Sequence, residues 1–374
     1  MRLVSANMNF MTGQDYKIEI FSALDDVAQR WINLERRGHA SPFQSHAWCR
    51  AHYAHLGRPK DAALSLIMVV DSAEGKDVML LPLMLSPDEG GRRMISFIDL
   101  GVSDYAAPVV AADFTPDAKL MRDLWGRIVE LLPRADYLAF DKIPEKIAER
   151  TNPLLAAFPV ETAVLKSYDL RFPECWEDYH MEILSHRTRK NLRQRWRKLK
   201  GRGETGFMHG DTPQKAQELF DILLRQRRER FAELGREEIL NRPEYVDFYR
   251  SMIASDGEQT PGIITALTVD SQPIALLYGL LYKGRYFMLL SSFEGGEWGH
   301  YSPGLLMVES MMQWLHGRGI REYDFTIGSE PYKLKLGGQE HSLYEHMQAF
   351  SLQGRCLTGA SSAKKTIKSL LGKN

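Results

Sequence analysis

The segment from Gly262 to Gly338 constrains the fold more than any other part of this 374-residue chain. Its apolar runs and turn residues predict three strands, a helix and a fourth strand, at residues 263–270, 273–282, 285–292, 303–316 and 321–326. In the helical stretch, Leu305, Val308, Met312 and Leu315 recur at helical spacing. This order predicts a mixed α/β fold in which a helix begins close to the end of a strand.

The start of that helix is a candidate anion site. Ser302 suits the N-cap position, Pro303 suits the first helical position, and Gly304 leaves room for a ligand. Free N–H groups and the helix dipole favour a phosphate at such a point. Ordinary helix initiation explains the Ser-Pro pair equally well, but the three preceding strands favour the phosphate site.

A compact polar signature follows the fourth strand. Asp324 stands between two aromatic residues near the end of this strand, and Glu330, Tyr332 and Lys333 follow within one loop or short helix. A carboxylate there is a candidate general base, and Lys333 is a candidate partner for a phosphate or carboxylate. The alternative is a structural Asp–Lys pair that holds the loop to the strand.

Charge is balanced overall, with 48 basic and 48 acidic side chains, but it is uneven locally. The run from Arg187 to Arg202 contains nine Lys or Arg and no acid, and an apolar stripe within it predicts a helix with one buried face. Arg187 and Arg189 become candidate substrate-binding residues, for cofactor phosphates, an anionic glycan, lipid headgroups or RNA. The alternative is a solvated face compensated by nearby acids.

Other sequence features restrict the chemistry and the compartment. Cys49, Cys175 and Cys356 are far apart and have no metal-ligand spacing, which favours free thiols in a reducing compartment and predicts no metal site. Residues 1–14 show no signal-peptide pattern, and no stretch is apolar enough for a membrane span. We therefore expect a cytoplasmic protein. Phosphate-loop, serine-hydrolase and zinc-protease motifs are absent.

The first half of the chain shows the same predicted order of elements as the second half, without obvious sequence identity. The order predicts two domains, at residues 15–160 and 161–353, and a flexible basic tail at 354–374; one large mixed sheet is the alternative. Pro82 lies inside a strand-like run and predicts a sheet edge or a bulge.

Four polar or aromatic residues of the first half are candidate substrate-binding residues. Gln44 and His46 stand at a predicted helix start, and Asp104 and Tyr105 lie in a loop after a strand. We expect these side chains to face a cleft.

The order of these motifs resembles a known family. The motifs are Pro42-Phe43-Gln44-Ser45 with Trp48, Leu81-Pro82-Leu83, Asp104-Tyr105, the basic run, Ser302-Pro303-Gly304 and Asp324-Phe325 with Glu330-Pro331-Tyr332-Lys333. Together they resemble the CelD-like acetyltransferases associated with cellulose biosynthesis. These belong to the GNAT superfamily and are related to FemAB-type transferases with two tandem GNAT-like domains. The resemblance covers about residues 16–350 and implies tandem GNAT-like acyltransferase domains.

The resemblance also implies a donor and roles for individual residues. Acetyl-CoA or another acyl-CoA would place its pyrophosphate at Ser302, Pro303, Gly304 and Leu305, and Leu289, Leu290 and Ser291 would supply backbone donors. Asp324 or Glu330 would act as base, Tyr332 would protonate the leaving thiolate, and Lys333 would hold an anionic group. The family's usual Q/R-x-x-G-x-G/A pattern is reduced here to one glycine, Gly304.

Three functions remain open from the sequence. The first is an acyl-CoA-dependent N-acyltransferase acting on a small amine or amino-sugar in exopolysaccharide or cell-envelope metabolism, the pathway being implied only by the family. The second is a FemAB-like transferase that uses aminoacyl-tRNA. The third is a non-catalytic module that binds a glycan or nucleotide.

Overall fold

A computed structural model describes residues 16–253 and 262–357. The described chain divides into two compact units: unit 1 contains residues 16–164 and 342–357, and unit 2 contains residues 165–341. Two long strands, β10 (Glu161–Arg171) and β16 (Gln339–Ala349), each contain one of the points at which the chain passes from one unit to the other.

Unit 1 is a mixed sheet with helices. Its other strands are β1 (Tyr16–Phe21), β2 (Gly38–His39), β3 (Ala63–Asp71), β4 (Asp77–Pro87), β5 (Arg93–Phe97), β6 (Val109–Ala111), β7 (Tyr137–Pro144), β8 (Lys146–Ile147) and β9 (Arg150–Thr151). Its helices are α1 (Ala28–Arg37), α2 (His46–His52), α3 (Ala118–Leu131) and α4 (Leu154–Ala157). The main sheet has the order β1-β3-β4-β5-β7-β16, and β6 pairs with β4 and β2.

Parallel pairing in unit 1 is confined to a short ladder between β5 and β7, at Met94–Tyr137 and Ile95–Leu138. Beyond this ladder a buried ion pair joins the two chain segments, because the Lys142 ammonium donates to Asp99 and, at 2.6 Å, to the Ser103 carbonyl. Asp99 also accepts from three backbone N–H groups of its own loop. The space beyond the ladder is therefore closed by a satisfied polar cluster.

Unit 2 contains α5 (Trp176–Asp178), α6 (His186–Lys200), β11 (Thr205–His209), α7 (Pro213–Glu233), α8 (Pro243–Ile253), β12 (Gly262–Val269), β13 (Gln272–Tyr282), β14 (Arg285–Phe293), α9 (Pro303–His316), β15 (Glu322–Ile327) and α10 (Pro331–Lys335). Its sheet has the order β10-β15-β14-β13-β12-β11. β14 and β15 pair in parallel, whereas β10–β15, β11–β12, β12–β13 and β13–β14 are antiparallel.

Helices cover both faces of the unit 2 sheet. On β13, Leu277 belongs to the apolar cluster that contains α6 and α9 residues, whereas the neighbouring Tyr278 packs its ring against Phe220 of α7 and Tyr249 of α8. Successive side chains of a strand point to opposite faces, so α6 with α9 and α7 with α8 form the two outer layers. The start of α9 thus lies on one defined side of the sheet.

The mixed α/β fold and the four strands and helix predicted within residues 262–338 are confirmed. The second unit, however, ends at His341 and not at residue 353, because Leu343–Ala349 of β16 pair with β7 of unit 1. Residues 352–357 are helical and Gly354 packs against the Asp136 backbone, so the expected flexible tail does not begin at 354. Residues 358–374 of that tail lie outside the described residues.

The buried pair in unit 1 yields a stability prediction. Lys142→Ala leaves the Asp99 carboxylate without its cation in a buried site, and loss of one partner of a buried ion pair costs about 3–5 kcal/mol. We expect the free energy of unfolding, measured in urea, to fall by about this amount. The control Lys146→Ala removes an exposed lysine of the same unit and should change it by less than about 0.5 kcal/mol. Equal effects of the two substitutions would contradict the prediction.

Candidate functional site

The parallel ladder between β14 and β15 ends early. Its pairs are Arg285–Glu322, Tyr286–Tyr323 and Phe287–Asp324, although β14 continues to Phe293 and β15 to Ile327. Beyond the last pair, the Thr326 hydroxyl donates to the Met288 carbonyl at 2.8 Å, so a side chain takes the place of a backbone bond. We name the opening between the two strand ends the β14–β15 wedge.

A β-bulge lies on the β14 side of the wedge. Tyr278 of β13 pairs with Leu290 and Gly279 pairs with Met288, so Leu289 has no partner in the ladder. A bulged residue has a backbone amide that is not committed to regular pairing, and such bulges are common beside active sites. Leu289 is half-buried and Ser291 is exposed, while the Ser291 carbonyl accepts from Arg227 of α7 at 3.0 Å. The predicted cofactor-binding residues of β14 therefore lie along one irregular strand end.

Helix α9 begins next to the end of β14, with a Cβ added to Gly304 meeting Phe293 at 3.2 Å. Ser302 occupies the N-cap position, but its φ of 54° is left-handed and its side chain does not cap the helix, contrary to expectation. The Ser302 hydroxyl instead accepts a hydrogen bond from Arg195 of α6. The helix start thus combines an uncapped N-terminus with a guanidinium, which together favour an anion.

The buried Asp324 forms an ion pair with Arg285 in unit 2. It is 1% exposed, accepts from the Thr326 N–H at 2.8 Å and pairs with Arg285 at 2.8 Å. A buried carboxylate held by a guanidinium is stabilised as the anion and is enclosed, so the contacts favour a positioning role. Its role as general base stays a prediction that these contacts do not support.

Lys333 is committed to the protein backbone. The Lys333 side chain is 3% exposed. Its ammonium donates to the Ile327 carbonyl at 2.6 Å and lies 3.2 Å from the Glu330 carboxylate. Gly328 permits this arrangement, because its φ is 127° and an added Cβ would lie 2.9 Å from the Lys333 nitrogen. The lysine holds the loop to the strand, as in the alternative, but it does so through the Ile327 carbonyl and Glu330 where an Asp–Lys pair was expected. Contact of Lys333 with a ligand stays a prediction.

The other two predicted catalytic residues differ in exposure. Glu330 has a side chain that is 57% exposed and pairs with Lys333. Tyr332 is half-buried and packs edge-on against Phe325. Burial raises the pKa of Tyr332 far above its ordinary value, so its hydroxyl stays protonated at neutral pH and could donate a proton.

The structure adds two residues that the motifs did not single out, His341 and Asp169. The His341 Nε2 lies 2.7 Å from Asp169 Oδ1, and Arg285 contacts the other carboxylate oxygen at 2.6 Å. The hydrogen bond to Asp169 raises the pKa of His341, against the effect of burial. Burial would raise the pKa of Asp169, but the hydrogen bond from His341 and the Arg285 charge outweigh it and lower that pKa. Sequence reasoning missed the pair because the two residues are 172 positions apart.

The basic run forms α6, as predicted, and Ser185 caps it by accepting from the Thr188 N–H at 3.1 Å. Arg189 donates through one guanidinium nitrogen to the backbone carbonyls of His180 and Met181, each at 2.9 Å, so it braces the preceding turn. Its predicted contact with a substrate stays a prediction. Arg187 is exposed, and its predicted contact with a substrate stays a prediction.

A groove of about 790 Å³ runs beside α6 within unit 2. It is lined by Arg193, Trp196, Arg197 and Lys200 of α6, by β11 residues including Phe207, and by α9 residues including Trp314. A second groove of about 410 Å³ shares Arg193 and Arg197 with the first. Among the described residues, no carboxylate lies within ion-pair distance of Arg193, Arg197 or Lys200. This surface is therefore strongly cationic.

The predicted substrate-binding residues of the first half are mostly interior. Gln44 is 1% exposed and bonds Ser41 and the Tyr105 carbonyl, and Tyr105 is buried against the Phe43 ring. His46 is buried beside Trp31, and burial lowers its pKa. The expectation that these three face a cleft is wrong, because they form the core of unit 1. Asp104 is half-buried, and its predicted role stays a prediction.

Two kinds of feature are absent from residues 16–253 and 262–357. No helix in these ranges is both long and apolar enough to cross a membrane. The same ranges contain no group of three or more His, Cys, Asp or Glu side chains arranged to hold a metal ion.

Residues 186–334 match the protein family described as acetyltransferase (GNAT) domain. The matched residues all lie within unit 2. The β14–β15 wedge, the Leu289 bulge and the start of α9 all fall inside the matched range. No curated protein matches the sequence.

Solved structures resemble nearly the whole chain in fold. FemX superposes with a TM-score of 0.58 at 10% identity, covering 88% of this chain and 96% of that one. The C-terminal domain of a putative lysylphosphatidylglycerol synthetase from Agrobacterium fabrum gives 0.52 at 13%, covering 91% and 96%. L-PGS from Bacillus licheniformis gives 0.50 at 14%, covering 88% and 93%. At these identities the likeness is one of fold, and it agrees with the mixed α/β architecture expected from the sequence.

The His341–Asp169 pair predicts a pH-dependent stability. The pKa of His341 is raised on folding, so the pair stabilises fully below the ordinary histidine pKa of about 6.5 and less as pH rises through the folded value. His341→Gln should therefore lower the free energy of unfolding more at pH 5.5 than at pH 9, as measured in urea. A difference between wild type and variant that does not change with pH would contradict this.

Proposed function

We propose that this protein is an acyl-CoA-dependent N-acyltransferase whose donor site lies in unit 2. One combination of features inside the matched range carries the proposal. The parallel ladder between β14 and β15 ends early, and Leu289 beside it has no partner in the β13–β14 ladder. The start of α9 has no side-chain cap and lies next to Arg195. The wedge accepts an extended chain such as pantetheine, and the helix start accepts its pyrophosphate. Gly304 and Leu305 belong to that helix start, as the sequence predicts.

Such a site needs little further equipment for acyl transfer. Backbone N–H groups at the bulge, at Leu289 to Ser291, polarise the thioester carbonyl by hydrogen bonding to it. Binding of both substrates in one site removes most of the entropic barrier to their reaction. Tyr332 stays protonated at neutral pH, and the family resemblance gives it the role of proton donor to the leaving thiolate. The acceptor is a small amine or amino-sugar, and the resemblance to CelD-like proteins suggests exopolysaccharide or envelope metabolism.

Arg195→Ala tests the donor site. Loss of a hydrogen bond to a charged group costs about 1.5–3 kcal/mol, so the dissociation constant for CoA, measured by calorimetry, should rise about 10- to 100-fold. The control Lys198→Ala removes an exposed cation three positions along α6 and should leave it within about twofold. An unchanged affinity in Arg195→Ala would remove the pyrophosphate assignment. CoA binding without thiol release with any amine would favour a non-catalytic module.

A second candidate is a transferase that takes its acyl group from aminoacyl-tRNA. The cationic groove on α6 favours it, because Arg193, Arg197 and Lys200 lie within eight residues and have no acidic partner among the described residues. Likeness of fold to FemX is consistent with this candidate. Lysines and arginines that contact phosphates release counterions, which makes such binding steeply salt-dependent.

One comparison distinguishes acyl-CoA from aminoacyl-tRNA as the donor. If tRNA is the donor, the log–log slope of tRNA affinity against salt concentration should become shallower by about two in the double variant Arg193→Ala/Arg197→Ala. The control Lys119→Ala/Arg122→Ala removes two exposed cations of α3 and should leave the slope unchanged. If CoA is the donor, acyl-CoA but not tRNA should raise the melting temperature. Stabilisation by tRNA alone would replace the first proposal with the second.

A further inference from the structure

A network of charged side chains occupies the face of the unit 2 sheet at the point where the parallel ladder ends. Its members are Asp169 on β10, Arg285 on β14, Asp324 on β15 and His341 on β16. The donor site proposed above uses none of them. Glu322, also on β15, lies at the edge of the network, 3.8 Å from Arg285.

The network holds one histidine in a fixed orientation. Asp169 Oδ1 bonds His341 Nε2 at 2.7 Å, and Asp169 Oδ2 bonds Arg285 at 2.6 Å, so both carboxylate oxygens are engaged. Arg285 is fixed in turn by Asp324 at 2.8 Å. Because Nε2 faces the carboxylate, the neutral ring carries its proton on Nε2 and its lone pair on Nδ1. The side chain is 42% exposed, so the ring can be reached from solvent.

Strand register places Asp169 at the level where the parallel ladder ends, with β15 lying between β10 and β14. Asp169 is opposite Asp324 in the β10–β15 ladder, and Asp324 is opposite Phe287 in the last pair of the parallel ladder. The next residues of β14 lead directly to the Leu289 bulge. A thioester carbonyl held at the bulge would therefore lie one to two residues beyond the level of Asp169.

We propose that His341, oriented by Asp169, is the general base that deprotonates the acceptor amine; this rests on the proposed acyltransferase function. The amine nitrogen attacks the thioester carbonyl carbon, a C–N bond forms, and the nitrogen proton passes to His341 Nδ1. The C–S bond then breaks, and the thiolate takes a proton from water or from Tyr332, which then regains one from solvent. The products are an amide and a free thiol, and the histidine returns its proton to solvent.

The charges around His341 raise its affinity for a proton. The charged groups that face His341 are Asp169 and Asp324, which raise its pKa, and Arg285, which lowers it; the direction of the sum is upward. A general base whose pKa is raised takes up the amine proton more readily.

The test is the pH profile of kcat/KM for His341→Gln, with acetyl-CoA as donor and glucosamine and a panel of primary amines as acceptors. General-base catalysis contributes about 10²- to 10⁴-fold, so kcat/KM should fall at least 100-fold and the limb at acidic pH should disappear. The control His209→Gln, on β11 of the same unit, should keep the wild-type rate and profile. CoA affinity, measured in parallel, should be unchanged in both variants.

A second variant covers the case in which His341→Gln does not fold. Asp169→Asn keeps the shape of the partner but removes its charge, so the acidic limb should move about one pH unit or more towards lower pH. The assignment of the base is overturned if folded His341→Gln keeps the acidic limb of the pH profile, or if that limb does not move in Asp169→Asn. Either result leaves the acyltransferase proposal intact. A wild type without amine-dependent thiol release overturns both.

Discussion

The early end of the parallel ladder between β14 and β15 is the constraint on which the rest of unit 2 depends. Two adjacent parallel strands normally continue to pair, and here they separate after Phe287 and Asp324. Arg285 fixes that level of the sheet through its ion pairs with Asp169 and Asp324. Thr326, with a positive φ of 57°, then turns the end of β15 so that its hydroxyl reaches Met288.

Unit 1 shows what happens when the same kind of opening is closed. Its parallel ladder between β5 and β7 is also short, and Lys142 has a positive φ of 57°, as Thr326 does in unit 2. There, however, the Lys142 ammonium bonds Asp99 and the Ser103 carbonyl, and the space beyond the ladder is filled by protein. The two strand ends therefore differ in their contacts, with a lysine ion pair in unit 1 and a threonine hydroxyl bond in unit 2.

Prediction from sequence worked where local signals are strong. The helix at Pro303–His316 and the three strands before it lie within one or two residues of their predicted bounds, because apolar periodicity and turn residues are local properties. Strand β16 was missed because its sequence is mostly polar. Pro82 lies in an interior strand, paired with Leu66, where a sheet edge or a bulge was expected. The Pro82 carbonyl accepts a hydrogen bond from the Ile98 N–H. Because the N–H and C=O of one strand residue point to the same side, the N–H that proline lacks would face the gap where the partner of β4 changes from β6 to β5.

Side-chain roles were harder to predict than elements. Gln44, His46 and Tyr105 are polar or amphipathic residues near a turn, which suggested a cleft, yet each lies in the core of unit 1. Lys333 and Asp324 are ionisable residues in a plausible site, yet each is buried with a local partner. Burial and hydrogen-bond partners depend on which distant segments pack together, and a sequence motif does not contain that information.

The sequence by itself determined the class of fold, the position of the helix that follows β14, and the cationic character of α6, since each depends on composition and spacing within one segment. Only the tertiary structure decided which of these features meet. It brought Arg195 to the start of α9, left Leu289 outside the ladder and paired His341 with Asp169 across 172 positions. The physical reason is that strand register and the end of a ladder are set by packing between segments that are far apart in the chain.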